Sequence, residues 1–156
     1  MNEIITIVAQ YFIVLPVIVA VIVFMQLSSK KDKKSFAIAM IAGGLLTLFC
    51  AYLASKLYSD PRPFVVGHFT PLIPHAAGNG FPSDHTLLAA FIGWTILFYS
   101  RKYGAIVLAI ALLIGVARVL AGVHHISDII GSFVISGLIV ILMHVILRRI
   151  KITRKS

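Results

Sequence analysis

Long apolar runs alternate with short polar clusters along this chain. The first run, Ile4 to Leu27, is interrupted only by Gln10 and Pro16. The second extends from Phe36 to about Leu57. A third follows Ser83 and reaches about Tyr99, a fourth runs from Tyr103 to about Ala121, and a fifth from about Ile129 to Leu147. A helix that crosses a bilayer needs about 20 apolar residues. The pattern predicts an all-α integral membrane protein, a bundle of five transmembrane helices. A sixth would require Val65 to Ala77 to re-enter the membrane, against Pro71, Pro74, His68 and His75.

Composition agrees with this picture. The chain has 156 residues, of which 60% are hydrophobic and 12% charged. Soluble domains average about 45–50% apolar and about 25% charged. So apolar a chain is neither soluble nor disordered. Cys50 is the single cysteine, so a disulfide scaffold is excluded. The length predicts one domain, 1–156, whose chemistry-bearing core is about 52–147. The net charge of +9 does not indicate nucleic acid, because the basic residues sit in short clusters between apolar runs. The first run has no basic leader and no small-x-small site after it, so it is read as a span and not as a cleaved signal.

Basic residues set the orientation. Lys30, Lys31, Lys33 and Lys34 follow the first span, Arg101 and Lys102 follow the third, and Arg148, Arg149, Lys151, Arg154 and Lys155 form the tail. Five spans place all three clusters on one side, the cytoplasm. The N-terminus is then outside and the C-terminus inside. The other cations, Lys56, Arg62 and Arg118, fall at the outer ends of spans with Asp60, Asp84 and Asp128. Charge gathered at one membrane level against the orientation bias marks a functional site.

Three outer segments carry the chemistry. They are Lys56 to Phe64, Phe81 to Thr86, and Arg118 to Asp128. Lys56, Arg62 and Arg118 are cations with few counter-charges nearby, and arginine forks match phosphate oxygens. Pro82-Ser83 before an apolar run reads as a helix start with Ser83 as N-cap. The free amides of that terminus attract anions. His85 and His124 can exchange protons near neutral pH. Asp128 lies four residues after His124, either on the same helix face or in the first turn after a Ser127 cap. Both arrangements let a carboxylate orient an imidazole. Gly122 allows a turn between Arg118 and His124. The outer connection from Tyr58 to Pro82 is long enough to expect function in it.

These segments resemble the three signatures of the type 2 phosphatidic acid phosphatase superfamily: Lys-x6-Arg-Pro, Pro-Ser-Gly-His and Ser-Arg-x5-His-x3-Asp. The third matches at Arg118, His124 and Asp128, the second at Pro82, Ser83 and His85, the first at Lys56 and Arg62. The resemblance implies a membrane lipid phosphatase that works without metal or other cofactor. His124 would attack phosphorus and form a phosphohistidine, Asp128 would orient it, and His85 would protonate the leaving oxygen. Lys56, Arg62, Ser83 and Arg118 would bind the phosphate oxygens.

Three departures stand out. Only five residues separate Lys56 from Arg62, Ala117 replaces the usual serine, and Asp84 replaces the usual glycine. The Pro-Ser-Asp-His form resembles the bacterial undecaprenyl-diphosphatase branch, which acts on the outer face of the cytoplasmic membrane. The expected substrate is undecaprenyl diphosphate. Phosphatidylglycerophosphate or phosphatidic acid is the alternative. A phosphotransferase and a non-catalytic phosphate-lipid binder or transporter are the other classes. Each residue also has a plainer reading. Lys56 would be a snorkelling anchor, Arg62 and Arg118 would pair with Asp60 and Asp128, and His68 and His75 would be polar loop residues. His125 would be the nucleophile only if the register were shifted by one.

Overall fold

The computed structural model describes residues 1–153. The described residues form seven helices: α1 (Asn2–Tyr11), α2 (Val14–Gln26), α3 (Lys30–Leu57), α4 (Pro63–Val66), α5 (Asp84–Leu97), α6 (Arg101–Leu120) and α7 (Ile126–Thr153). Among the described residues there is no strand, only an isolated bridge between Pro61 and Asn79. Of the tail cations used for orientation, Arg154 and Lys155 lie outside the described residues.

The first apolar run divides into α1 and α2, bent by 44°. Pro16 accounts for the break. Proline has no N–H, and its ring clashes with the carbonyl four residues earlier, here that of Phe12. α3, α6 and α7 are each long and apolar enough to cross a membrane, and the bent pair counts as a fourth span. Ser29 caps α3 by accepting from the Asp32 N–H, and Ser100 caps α6 by accepting from the Tyr103 N–H.

The third apolar run yields α5, which has only 14 residues. At 1.5 Å per residue it is about 21 Å long, short of a bilayer core of about 30 Å. α5 is instead the centre of the bundle, packed by α2, α3, α6 and α7. Nine of its 14 residues are buried. A helix apolar all round belongs in such a place. Gly104 permits the tight α5–α6 hairpin: a Cβ there would lie 2.5 Å from the Leu97 Cα. Large apolar side chains such as Leu112, Leu113, Leu138 and Ile141 point outward. On a membrane protein that surface faces lipid and needs no cover.

The segment from Val65 to Ala77 holds the end of α4 and a loop, and does not re-enter the bundle as a helix. Ile73 anchors this loop in a buried cluster with Ala9, Ala117, Ala121 and Val123. The α5, α6 and α7 ends and this loop therefore meet at one end of the bundle.

Candidate active site

Pro63 at the start of α4 holds Arg62 in extended backbone, with φ −60° and ψ 148°. The Arg62 side chain turns inward and is 8% exposed. Its Nη1 donates to the Val123 carbonyl at 2.8 Å and lies 3.3 Å from His124 Nε2. Arg118, on the last turn of α6, is 3% exposed. Gly122 follows with φ +78°, a conformation that suits glycine. The turn it makes brings His124 back beside the arginines.

His124 is buried between opposing partners. Its Nδ1 lies 3.1 Å from Asp128 Oδ2. A carboxylate only accepts and an arginine only donates. The two contacts therefore require a neutral ring with the proton on Nδ1 and a lone pair on Nε2. Burial lowers the His124 pKa below its ordinary value, the bond to Asp128 opposes that, and Arg118 and Arg62 add to the lowering. The neutral form thus persists as pH falls below the usual histidine range. The ring thus presents its Nε2 lone pair beside a cation.

Asp128 is fully buried in the first turn of α7. The same Oδ2 also accepts the His125 backbone N–H at 2.9 Å. Ser132 donates to the carbonyls of Asp128 and Ser83, joining the second and third segments. Gly80 lets the loop pass over the carboxylate, since a Cβ there would sit 2.8 Å from Asp128 Oδ2.

Among the described residues, neither Arg62 nor Arg118 has a carboxylate within ion-pair distance; the carboxylates nearby pair with histidines instead, Asp128 with His124 and Asp60 with His125. Arg62 Nε and Arg118 Nε are buried without a partner among the described residues. Two buried guanidinium groups that share no anion make a strongly anion-seeking pocket. The ion pairs of Arg62 with Asp60 and of Arg118 with Asp128 do not form.

The other residues singled out from the sequence fall as follows. Ser83 begins α5 and is fully buried, and its Oγ accepts from the Thr86 hydroxyl instead of capping a backbone N–H. His85 is half-buried one residue into α5, in the fields of Arg118, Asp84 and His124. Asp84 is exposed and acts on Arg62 through space. Lys56 is exposed on the last turn of α3, with its Nζ 5.3 Å above the Tyr52 ring. The structure thus gathers Arg62, Arg118, His124 and Asp128, sets His85 within the fields of Arg118 and His124, links Ser83 to Asp128 through Ser132, and leaves Lys56 apart. His125 turns away, its Nε2 3.1 Å from the Pro61 carbonyl oxygen and 3.6 Å from Asp60.

Two residues were not marked as site residues by the sequence. His75 contacts Arg118, with its Nε2 3.0 Å from Nη2. Asn79 is a clamp. Its Oδ1 accepts from the Asp60 and Phe81 amides, and its Nδ2 donates to the Ser55 and Tyr58 carbonyls. The side chain ties the end of α3 to the approaches of Arg62 and Ser83. The Gly78-Asn79-Gly80 turn signal was its only trace in the sequence. Asn79→Leu breaks four bonds and leaves backbone groups unpaired, three of the bonds being part-buried and one exposed, each costing at most about 1–3 kcal/mol. We expect a lowered Tm in detergent and lost activity together; an unchanged Tm would show the clamp to be dispensable.

Residues 32–152 match the PAP2 superfamily. The undecaprenyl-diphosphatase BcrC of Bacillus subtilis (strain 168) is 38% identical over 123 residues, 79% of this chain and 62% of that protein. The bacitracin transport permease protein BcrC of Bacillus licheniformis is 33% identical over 96 residues, 61% of this chain and 43% of that protein. This chain therefore spans roughly two fifths to three fifths of these relatives. The crystal structure of a transmembrane PAP2-type phosphatidylglycerolphosphate phosphatase from Bacillus subtilis superimposes with a TM-score of 0.61. That likeness covers 96% of this chain and 77% of the other at 24% identity, and shows a shared fold. With three ordered motifs converging on one pocket and a match over most of its length, the chain belongs to the PAP2 superfamily.

Proposed function

We propose that this protein is a lipid phosphatase that uses His124 as a nucleophile, with undecaprenyl diphosphate as substrate. One observation carries the reading: a neutral, Asp128-held His124 presents its Nε2 lone pair beside Arg62, in a pocket with two buried arginines that pair with no carboxylate among the described residues. The Nε2 lone pair forms a bond to phosphorus as the bond to the lipid-side oxygen breaks. His85 gives that oxygen a proton. Water then attacks the phosphohistidine, His85 takes its proton, and phosphate leaves. Arg62 and Arg118 stabilise the charge that grows on the phosphoryl oxygens. Lys56 would have to swing from Tyr52 to join them.

Two features support a long lipid. The name of the 38% identical relative states this diphosphatase activity. An apolar cleft of about 400 Å³ lies between α2, α3 and α5, lined by Ala20, Phe24, Thr47, Leu48 and Leu88 among others. Leu88 is one turn along α5 from His85, so the cleft suits the first units of a hydrocarbon chain. Leu88→Trp should raise KM for a long-chain lipid and leave a short-chain phosphate ester unchanged. An equal effect on both would remove the cleft from the argument. The distribution of basic clusters, if α5 also crosses, supports a site on the extracytoplasmic side.

The test is phosphate release by purified protein in excess EDTA, from undecaprenyl diphosphate and from phosphatidylglycerophosphate, with His124→Ala as control. Release from the diphosphate alone, absent in the variant, is the expected result. Release mainly from the glycerophospholipid would move the substrate and keep the chemistry. Bound lipid without turnover would favour a binder or transporter.

A further inference from the structure

Arg118 is held on two sides by acceptors. Its Nη1 donates to the Ala9 carbonyl at 3.1 Å, and its Nη2 lies 3.0 Å from His75 Nε2. Arginine has no acceptor. His75 Nε2 must therefore be the acceptor, with the ring neutral and its proton on Nδ1.

The rest of the loop is built to hold that ring. Ile73, two residues earlier, is 2% exposed in the cluster with Ala117 and Ala121. The Leu72 amide donates to the Ala121 carbonyl at 3.0 Å, on the turn directly after Arg118. The His75 ring also stands edge-on to His124, with 5.9 Å between centroids. The loop thus bears on both the cation and the nucleophile.

We propose that His75 is a positioning residue. Its Nε2 lone pair fixes the Arg118 guanidinium in the orientation that meets the phosphoryl group beside His124. This rests on the phosphatase reading and adds a residue to it. The contact holds only while His75 is neutral, because a protonated ring would present a donor to a cation. The charged and titratable groups acting on His75 are Arg62 and Arg118, with His124 from the α6–α7 turn. All three oppose protonation, and with burial as the largest cause they lower its pKa to about 4. The ring is therefore neutral, and Arg118 held, across the neutral range.

Side-chain reach provides the test. The Gln Oε1 reaches about as far from the backbone as histidine Nε2, and Asn Oδ1 only as far as Nδ1. His75→Ala and His75→Asn should lower kcat by roughly 10- to 100-fold, the cost of a misplaced group near the chemistry. His75→Gln should restore most of it. In an Arg118→Ala background His75→Ala should cost little more, because the two act as one unit. Inorganic vanadate binding, followed by thermal shift, gives a readout without turnover; His75→Ala should weaken it and His75→Gln should not. Gln no better than Asn, full activity in Ala, or additive losses with Arg118→Ala would overturn the proposal. Vanadate binding that depends on His75, without wild-type turnover of the lipid, would instead overturn the substrate and leave the positioning role standing. Neither turnover nor vanadate binding in the wild type would overturn both.

Discussion

We expect His124→Ala to abolish phosphate release and to leave the fold and lipid binding largely intact. The reason lies in what the imidazole contributes. On the proposed mechanism Nε2 supplies the electron pair that forms the covalent intermediate, and no neighbour is placed to take over that task. His125 points at Pro61 and Asp60. His75 has its Nε2 committed to Arg118. His85 has the other half of the reaction to perform. The substitution removes a buried ring but no backbone bond, so the arginines still face the pocket. The direct check is incubation with lipid labelled in the scissile phosphate, followed by alkaline denaturation, which preserves phosphohistidine. Label on the wild-type chain and none on His124→Ala is the expected pattern. Label retained on the variant, or a wild-type rate, would remove His124 from the nucleophile role.

Asp128 yields the second large effect, and its two simplest variants separate charge from geometry. Asp128→Ala removes the acceptor for His124 Nδ1–H and for the His125 amide at once. The imidazole then loses its tautomer and its aim, a loss on the order of 10⁴ in kcat where such an orienting carboxylate is removed. Asp128→Asn differs. The fixed His125 N–H demands an acceptor at the Oδ2 position, which pins the amide oxygen there and keeps the Nδ1–H tautomer. Only the negative charge is lost. We expect Asp128→Asn to be impaired but at least ~10-fold more active than Asp128→Ala, since tautomer and orientation survive. Steady-state kcat for the two variants decides it. Equal losses would show that the charge, and not the orientation, is what Asp128 provides.

The parts of this molecule legible in its sequence share a physical basis. Apolar runs reveal membrane helices because lipid requires a closed backbone and apolar side chains over a set length. Thus α3, α6 and α7 contain nearly all of the expected runs, with α3 starting and α7 ending about two turns beyond them. Pro16 was visible as an interruption, but the 44° bend it produces depends on how α1 and α2 pack. α5 was read as an ordinary span, because periodicity does not distinguish a lipid-covered helix from one surrounded by protein. The motif residues were visible because charged groups are rare at that depth. His75 and Asn79 were not, since a polar residue in a polar loop carries no such contrast. Their importance comes from where the loop returns, and that is decided by Ile73 and the backbone bonds beneath it. Lys56 shows the converse: its motif spacing is one residue short, and the structure leaves it outside the pocket.

The bond from Arg118 to the Ala9 carbonyl joins residues 109 positions apart. That separation sets an order on biogenesis. As the chain is made and inserted from its N-terminus, α1 waits through most of synthesis before Arg118 exists to bind it. The loop with His75 waits for the same residue, and Arg62 waits for Val123, 61 positions later. Every incomplete chain therefore carries a scattered set of polar groups and no pocket. Such long-range closures are slow to form. The unassembled arginines are costly in lipid until their distant partners arrive.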